Sequence, residues 1–147
     1  MIRNPSGIGV TYAITSMGSD HTAGYTVATN MFKVGGYVNS MAVKGQVEFS
    51  HNLQIATAAV DATGMCLFIA FAVLDQSEIF QALVDLSNSF YGWNLDSNGV
   101  IEFGKFILIN EREFNKRIGF TKLDDRLRSI SGVSSWLRIT WSSTCSI

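Results

Sequence analysis

Apolar positions recur at helical spacing along most of this chain, and glycines interrupt them. Residues 76–91 are the clearest stretch. Ile79, Phe80, Leu83, Val84, Ser87, Phe90 and Tyr91 fall on one broad face, and Gly92 stands where the helix should stop. Residues 99–117 repeat the pattern through Val100, Phe103, Ile107 and Phe114, with Ile118 just beyond. Glu102, Lys105, Glu111, Arg112, Glu113, Lys116 and Arg117 are expected to face water there, and Gly119 closes the segment. The preceding loop, Trp93-Asn94-Leu95-Asp96-Ser97, offers N-cap side chains. Residues 38–62 predict a longer helix. Met41, Val47, Leu53, Ile55, Ala56, Ala59 and Val60 form its apolar side, with Lys44, Gln46, Glu48, His51 and Gln54 turned to solvent and Thr63-Gly64 at its end.

The N-terminal third reads less cleanly. Residues 8–16 predict a short helix opened by Asn4-Pro5-Ser6. Gly7 and Gly9 each cost about 1 kcal/mol against alanine, a cost consistent with close packing on another element. Residues 17–24 read as a polar loop, residues 25–32 suit strand or helix equally, and Gly35-Gly36 is a break. Pro5 is the one proline. These elements predict an all-α domain of about four or five helices over residues 1–128. Residues 129–147 form a divergent tail rich in serine and tryptophan, without a helical stripe.

A length of 147 residues suits one domain. Hydrophobic residues make up 47% and charged residues 16%, so the chain carries more apolar surface than an average soluble domain. A partner or a neighbouring domain is the expected cover for that surface. The net charge of −1 and the pI near 6.1 give no positive field for a phosphate backbone, which excludes nucleic acid as a partner. The longest apolar run, residues 65–74, is about half of the roughly 20 residues that cross a membrane. Two distant cysteines and an N-terminus without a continuous apolar stretch point to a cytoplasmic setting.

One segment combines chemically active groups. Asp61-Ala62-Thr63-Gly64-Met65-Cys66 lies where the long helix stops and the apolar run begins. It offers a carboxylate, backbone N–H groups around a glycine, and a thiol. Two readings are open from the residues alone. Asp61 accepts hydrogen bonds from a ring system while Cys66 reaches a metal, or Asp61 caps a turn and Cys66 is a buried small hydrophobe. His51 reads as a surface or helix-packing residue rather than a ligand, and Cys145 as structural. The Asp124-Asp125 pair reads as a loop terminator beside Arg126 and Arg128.

The 61–66 segment resembles the Asp-x-x-Gly-Leu-Cys turn of aldehyde:ferredoxin oxidoreductases, with methionine in place of leucine. Glu102-Phe103-Gly104-Lys105, Asn110-Glu111-Arg112-Glu113-Phe114-Asn115, Arg117-Ile118-Gly119-Phe120-Thr121 and Asp124-Asp125 are similar to a helix and loop of the same family. Gly18-Ser19-Asp20-His21 is similar to its Gly-Ala-Asp-His segment. The resemblance covers most of residues 8–128 and implies that family's C-terminal helical domain. It implies that Asp61 hydrogen-bonds a pterin of a tungsten or molybdenum bis-pterin cofactor, with Gly64 and Met65 shaping that contact. Cys66 would be the fourth thiolate of a [4Fe–4S] cluster, and His21 would be the proton donor or acceptor near the metal. Ferredoxin is the electron acceptor implied for the intact enzyme.

The same resemblance predicts what the chain lacks. Three further cluster thiolates are expected on upstream domains, which are the implied partners. The chain alone, as an excised domain or the product of a split or truncated gene, is therefore expected to be inactive. The other reading is a non-catalytic helical interaction module, self-associating and free of cofactor.

Overall fold

The computed structural model describes residues 6–40, 42 and 44–126. The 129–147 tail, Cys145 and Arg128 lie outside them. The described residues form six α-helices and no strand: α1 (Ser6–Ile14), α2 (Thr26–Phe32), α3 (Gln46–Ala62), α4 (Ala70–Asp75), α5 (Ser77–Tyr91) and α6 (Ser97–Arg117). A single 3-10 turn, Leu67–Ile69, leads into α4. The all-α expectation holds, and the count exceeds the expected four or five for two reasons. The ambiguous 25–32 stretch is helical, and the apolar run ends in a helix of its own.

The long central helix starts eight residues later than its sequence pattern suggests. Gly45 has φ +85°, a left-handed conformation that a side chain would strain, so the chain turns there instead of continuing a helix. The Gln46 side chain holds that turn by donating to the carbonyls of Asn39 (2.8 Å) and Ala42 (3.1 Å). Gln46 and Gln54, expected in solvent, are buried, whereas Val47 is exposed. The reason is that the first half of α3 faces a polar interface. Thr11 Oγ1 of α1 and Ser50 Oγ share a 2.7 Å hydrogen bond, and Gln54 Nε2 donates to Ser50 Oγ at 3.1 Å. Thr11, Ser50 and Gln54 are paired with one another and so carry little burial penalty, beside buried Ile8, Val10, Ala13 and Leu53.

The second half of α3 lies in the apolar core. Val60 packs with Ala70 and Val73 of α4 and Leu83 of α5, and Ala59 packs with Val84 of α5 and Val100 of α6. Phe80 joins both groups. At 25 cal/mol per Å2 of apolar surface, each of the larger side chains contributes about 1.5–3 kcal/mol by leaving water. The start of α6 is set by Asp96, whose carboxylate accepts from the Gly99 N–H at 2.7 Å. Asn88 at the end of α5 ties the connecting loop by bonding both the N–H and the carbonyl of Leu95.

Helix α6 lies against α3 at one point of backbone contact. A Cβ on Gly104 would stand 2.3 Å from the Ile55 carbonyl oxygen. No side chain fits there without parting the helices. Gly104→Ala is expected to destabilise the chain by about 1–3 kcal/mol through overpacking, despite a gain of about 1 kcal/mol in helix propensity. Urea unfolding with an unchanged m-value would measure the loss.

His51 is half-buried on α3, within electrostatic reach of Lys105 and Arg112 on α6. Desolvation first, and those two cations second, hold its imidazole below the ordinary histidine range. Its neutral form is thus favoured by folding. The associated stability is complete above the unfolded pKa of about 6.5 and is lost as pH falls through the folded value. His51→Gln is expected to flatten the fall of Tm between about pH 7.5 and 5, as scanning calorimetry across that range would register.

Candidate functional site

The turn that ends α3 is anchored from below and open above. Thr63 is buried, its hydroxyl donating to the Val60 carbonyl at 2.6 Å. Gly64, at φ +75°, reverses the chain with its N–H on the Asp61 carbonyl at 2.9 Å. That N–H, expected to be open to a ligand, is therefore engaged. Met65 is partly buried against the Val60, Ala70, Val73 and Leu83 cluster, and the Cys66 carbonyl receives the Ile69 N–H at 3.0 Å. Tyr91, at the end of α5, donates its hydroxyl to the Thr63 carbonyl at 3.1 Å. The tyrosine is itself stacked on Trp93 at 4.5 Å.

These contacts leave Asp61, Gly64 and Cys66 exposed. The Asp61 carboxylate has no hydrogen-bond or ion-pair partner among the described residues. Cys66 is a free, exposed thiol, so it is not the buried small hydrophobe of the blander reading. Among the described residues no three histidine, cysteine or acidic side chains gather to hold a metal ion. One thiol and one unpaired carboxylate on a locked turn suit a contribution of single groups to a centre built mainly by other residues.

His21 sits in the loop between α1 and α2 and is exposed, with Nδ1 4.0 Å from the Asp20 carboxylate. Asp20 is occupied locally, accepting from the Thr22 N–H and hydroxyl, both at 2.6 Å. Those two bonds hold its carboxyl below the usual carboxylate range. The imidazole meets the Tyr25 ring edge to face at 5.5 Å, and Tyr25 meets Phe71 of α4 at 5.2 Å. Two ring contacts thus connect the His21 loop to the helix that follows Cys66. Among the described residues no hydrogen bond, ion pair or ring contact joins His21 to the 61–66 turn.

The sequence reading missed a group on α6. Glu111 and Arg112, expected in water, are half-buried and bind the end of α1. Arg112 Nη2 donates to the Ile14 carbonyl, and its Nη1 pairs with Asp125 at 3.1 Å. Ser16 Oγ donates to Glu111, and Asn115 Nδ2 donates to the Ser16 carbonyl at 2.8 Å. These side chains satisfy carbonyls that a helix end leaves unpaired, and they fix the root of the His21 loop. The helical wheel held the signal, since Val100, Gly104, Leu108, Glu111 and Asn115 continue one face toward α3 and α1. Asp124 accepts from the Thr121 N–H and hydroxyl at 2.8 and 3.0 Å, as a loop terminator should. Its neighbour Asp125 pairs with Arg112.

A family model described as aldehyde ferredoxin oxidoreductase, domains 2 and 3, matches residues 1–130. The chain belongs to the aldehyde ferredoxin oxidoreductase family. Among curated proteins it is similar to three enzymes named tungsten-containing aldehyde ferredoxin oxidoreductase. Identity is 26% over 128 residues with that of Pyrococcus horikoshii, 27% over 128 with that of Pyrococcus abyssi, and 26% over 127 with that of Pyrococcus furiosus. Each match covers 84% of this chain and 20% of the relative, so the matched part is one fifth of the relatives' length. No solved structure matches the chain.

In this member of the aldehyde ferredoxin oxidoreductase family, Arg112→Ala is expected to cost about 1.5–3 kcal/mol, because two acceptors lose a charged donor. Arg112→Lys should restore little of it, since one ammonium cannot span both acceptors as the fork does. Faster hydrogen exchange at residues 15–22 in both variants, with α5 unaffected, is the measurement that checks it.

Proposed function

We propose that this chain is the cofactor-contacting helical part of a tungsten or molybdenum pterin enzyme that oxidises aldehydes to carboxylates. The observation that carries the reading is an exposed thiol and an exposed, unpaired carboxylate at the two ends of one turn, which is held by Thr63, Met65 and Tyr91. In this reading Asp61 accepts a hydrogen bond from a pterin ring, and Gly64 and Met65 shape the backbone around it. Cys66 supplies one thiolate to a [4Fe–4S] cluster whose other ligands come from other polypeptide. His21 holds or moves a proton, a role suited to a side chain whose ordinary pKa is near neutrality. The metal and cluster supply the redox chemistry, with ferredoxin as the final electron acceptor. This chain's own residues bind, orient and exclude water. The full site requires the domains that lie outside the matched fifth of the relatives.

A second reading, a self-associating helical module without cofactor, draws support from large exposed apolar side chains. Phe68, Phe90 and Leu123 are 73%, 78% and 76% exposed. Among the described residues no helix is long and apolar enough to cross a membrane.

The two readings separate in one experiment. The chain is co-expressed with the unmatched part of the Pyrococcus furiosus relative, and tungsten, iron and sulfide are assayed in the purified complex. The proposal expects metal uptake, with iron and sulfide lowered by Cys66→Ser while the complex still forms. Uptake indifferent to Cys66→Ser, or a metal-free oligomer of the chain by light scattering, rejects the proposal.

A further inference from the structure

The backbone around Tyr25 is held on both sides. Gly24 lies flush on α3, since a Cβ on it would stand 3.0 Å from Gln54 Cγ and 3.5 Å from the Ser50 carbonyl oxygen. The Tyr25 carbonyl receives the Ala28 N–H at 3.1 Å, where α2 begins. From this fixed point the tyrosine ring makes two aromatic contacts. It meets Phe71 of α4 at 5.2 Å with the ring planes 82° apart, and the His21 imidazole at 5.5 Å with the planes 76° apart. Both are the edge-to-face arrangement that aromatic rings favour.

A functional imidazole is commonly oriented by a hydrogen bond from one ring nitrogen to a carboxylate or a carbonyl. Among the described residues His21 has no such bond. Its Nδ1 is 4.0 Å from Asp20 Oδ1, beyond hydrogen-bond reach. That oxygen already accepts from the N–H and the hydroxyl of Thr22. The imidazole is 59% exposed, so burial does not confine it either. We propose that Tyr25 is the positioning residue for His21. The ring contact holds the imidazole in one χ1 rotamer and leaves both nitrogens free to exchange a proton with a bound substrate. Phe71 backs the tyrosine, so the direction of the imidazole is referred to α4, the helix that follows Cys66. A ring contact needs no phenolic oxygen, so phenylalanine can replace Tyr25 in this task. The purpose of the contact rests on the proton-moving role read for His21; the effect on the ring does not.

NMR of the 147-residue chain with labelled histidine tests it, reading the His21 χ1 rotamer from three-bond couplings and its neighbours from ring-to-ring NOEs. The native chain is expected to show one dominant rotamer and NOEs from His21 to Tyr25. Tyr25→Phe should preserve both. Tyr25→Leu should spread the imidazole over the staggered wells, while hydrogen exchange in α2 and α3 stays native. Where Tyr25→Leu does not fold, Phe71→Leu gives the same reading, because it removes the backing and leaves the Tyr25 ring in place. Asp20→Asn keeps an oxygen for Thr22 and should leave the rotamer unchanged. An imidazole already averaged in the native chain, one still fixed in the leucine variant, or one released by Asp20→Asn overturns the proposal. The measurement needs no cofactor, so it can fail while Cys66-dependent metal uptake stands, and succeed while that uptake fails.

Discussion

The contact between Gly104 and the Ile55 carbonyl is the constraint on which the rest of the molecule depends. Because α6 can approach α3 to backbone distance there, side chains further along α6 reach past α3 to the end of α1. Glu111, Arg112 and Asn115 bind Ile14 and Ser16 only from that distance. A methyl group at position 104 would act on the α1 terminus as well as on the α3 interface. The helix α3 is thus a spine held on one side by α6 and on the other by α1 and α2.

Along that spine the packing changes character. The first half buries hydroxyls and carboxamides and meets α1 through the Thr11–Ser50 hydrogen bond, and the second half meets α4, α5 and α6 by aliphatic contact. The chemically active turn lies at the apolar end. Apolar packing is dense and non-directional, so it supports the turn from beneath through Thr63 and Met65 without drawing on the polar groups above. Asp61 and Cys66 remain available to something outside the chain. The polar half carries the loop that holds His21, and directional hydrogen bonds suit a segment that must keep one position on the surface.

Sequence periodicity was sufficient for the helices whose burial is apolar. Helices α5 and α6 lie within two residues of their expected bounds, and the end of α3 at Thr63-Gly64 is as read. It failed where burial is polar. Gln46 and Gln54 look like solvent positions because a hydrophobic pattern cannot recognise a carboxamide whose partners are carbonyls and a serine hydroxyl. The same blindness assigned Glu111 and Arg112 to water. The early start given to α3 came from carrying the apolar and polar pattern back through residues 38–45, when the left-handed Gly45 decides the boundary. At the site, the residues of the 61–66 turn were legible as a motif. Their exposure was not, because it depends on Tyr91 and on the cluster beneath Met65, both distant in sequence.

The central claim is that the native fold itself presents the Cys66 thiol outward. Thiol labelling of the chain in a Cys145→Ser background, followed across a urea series, tests it most directly. The account predicts that Cys66 reacts at nearly the same rate before and after unfolding, with no step at the unfolding midpoint. A thiol protected in the native state and released only as the protein unfolds would contradict it.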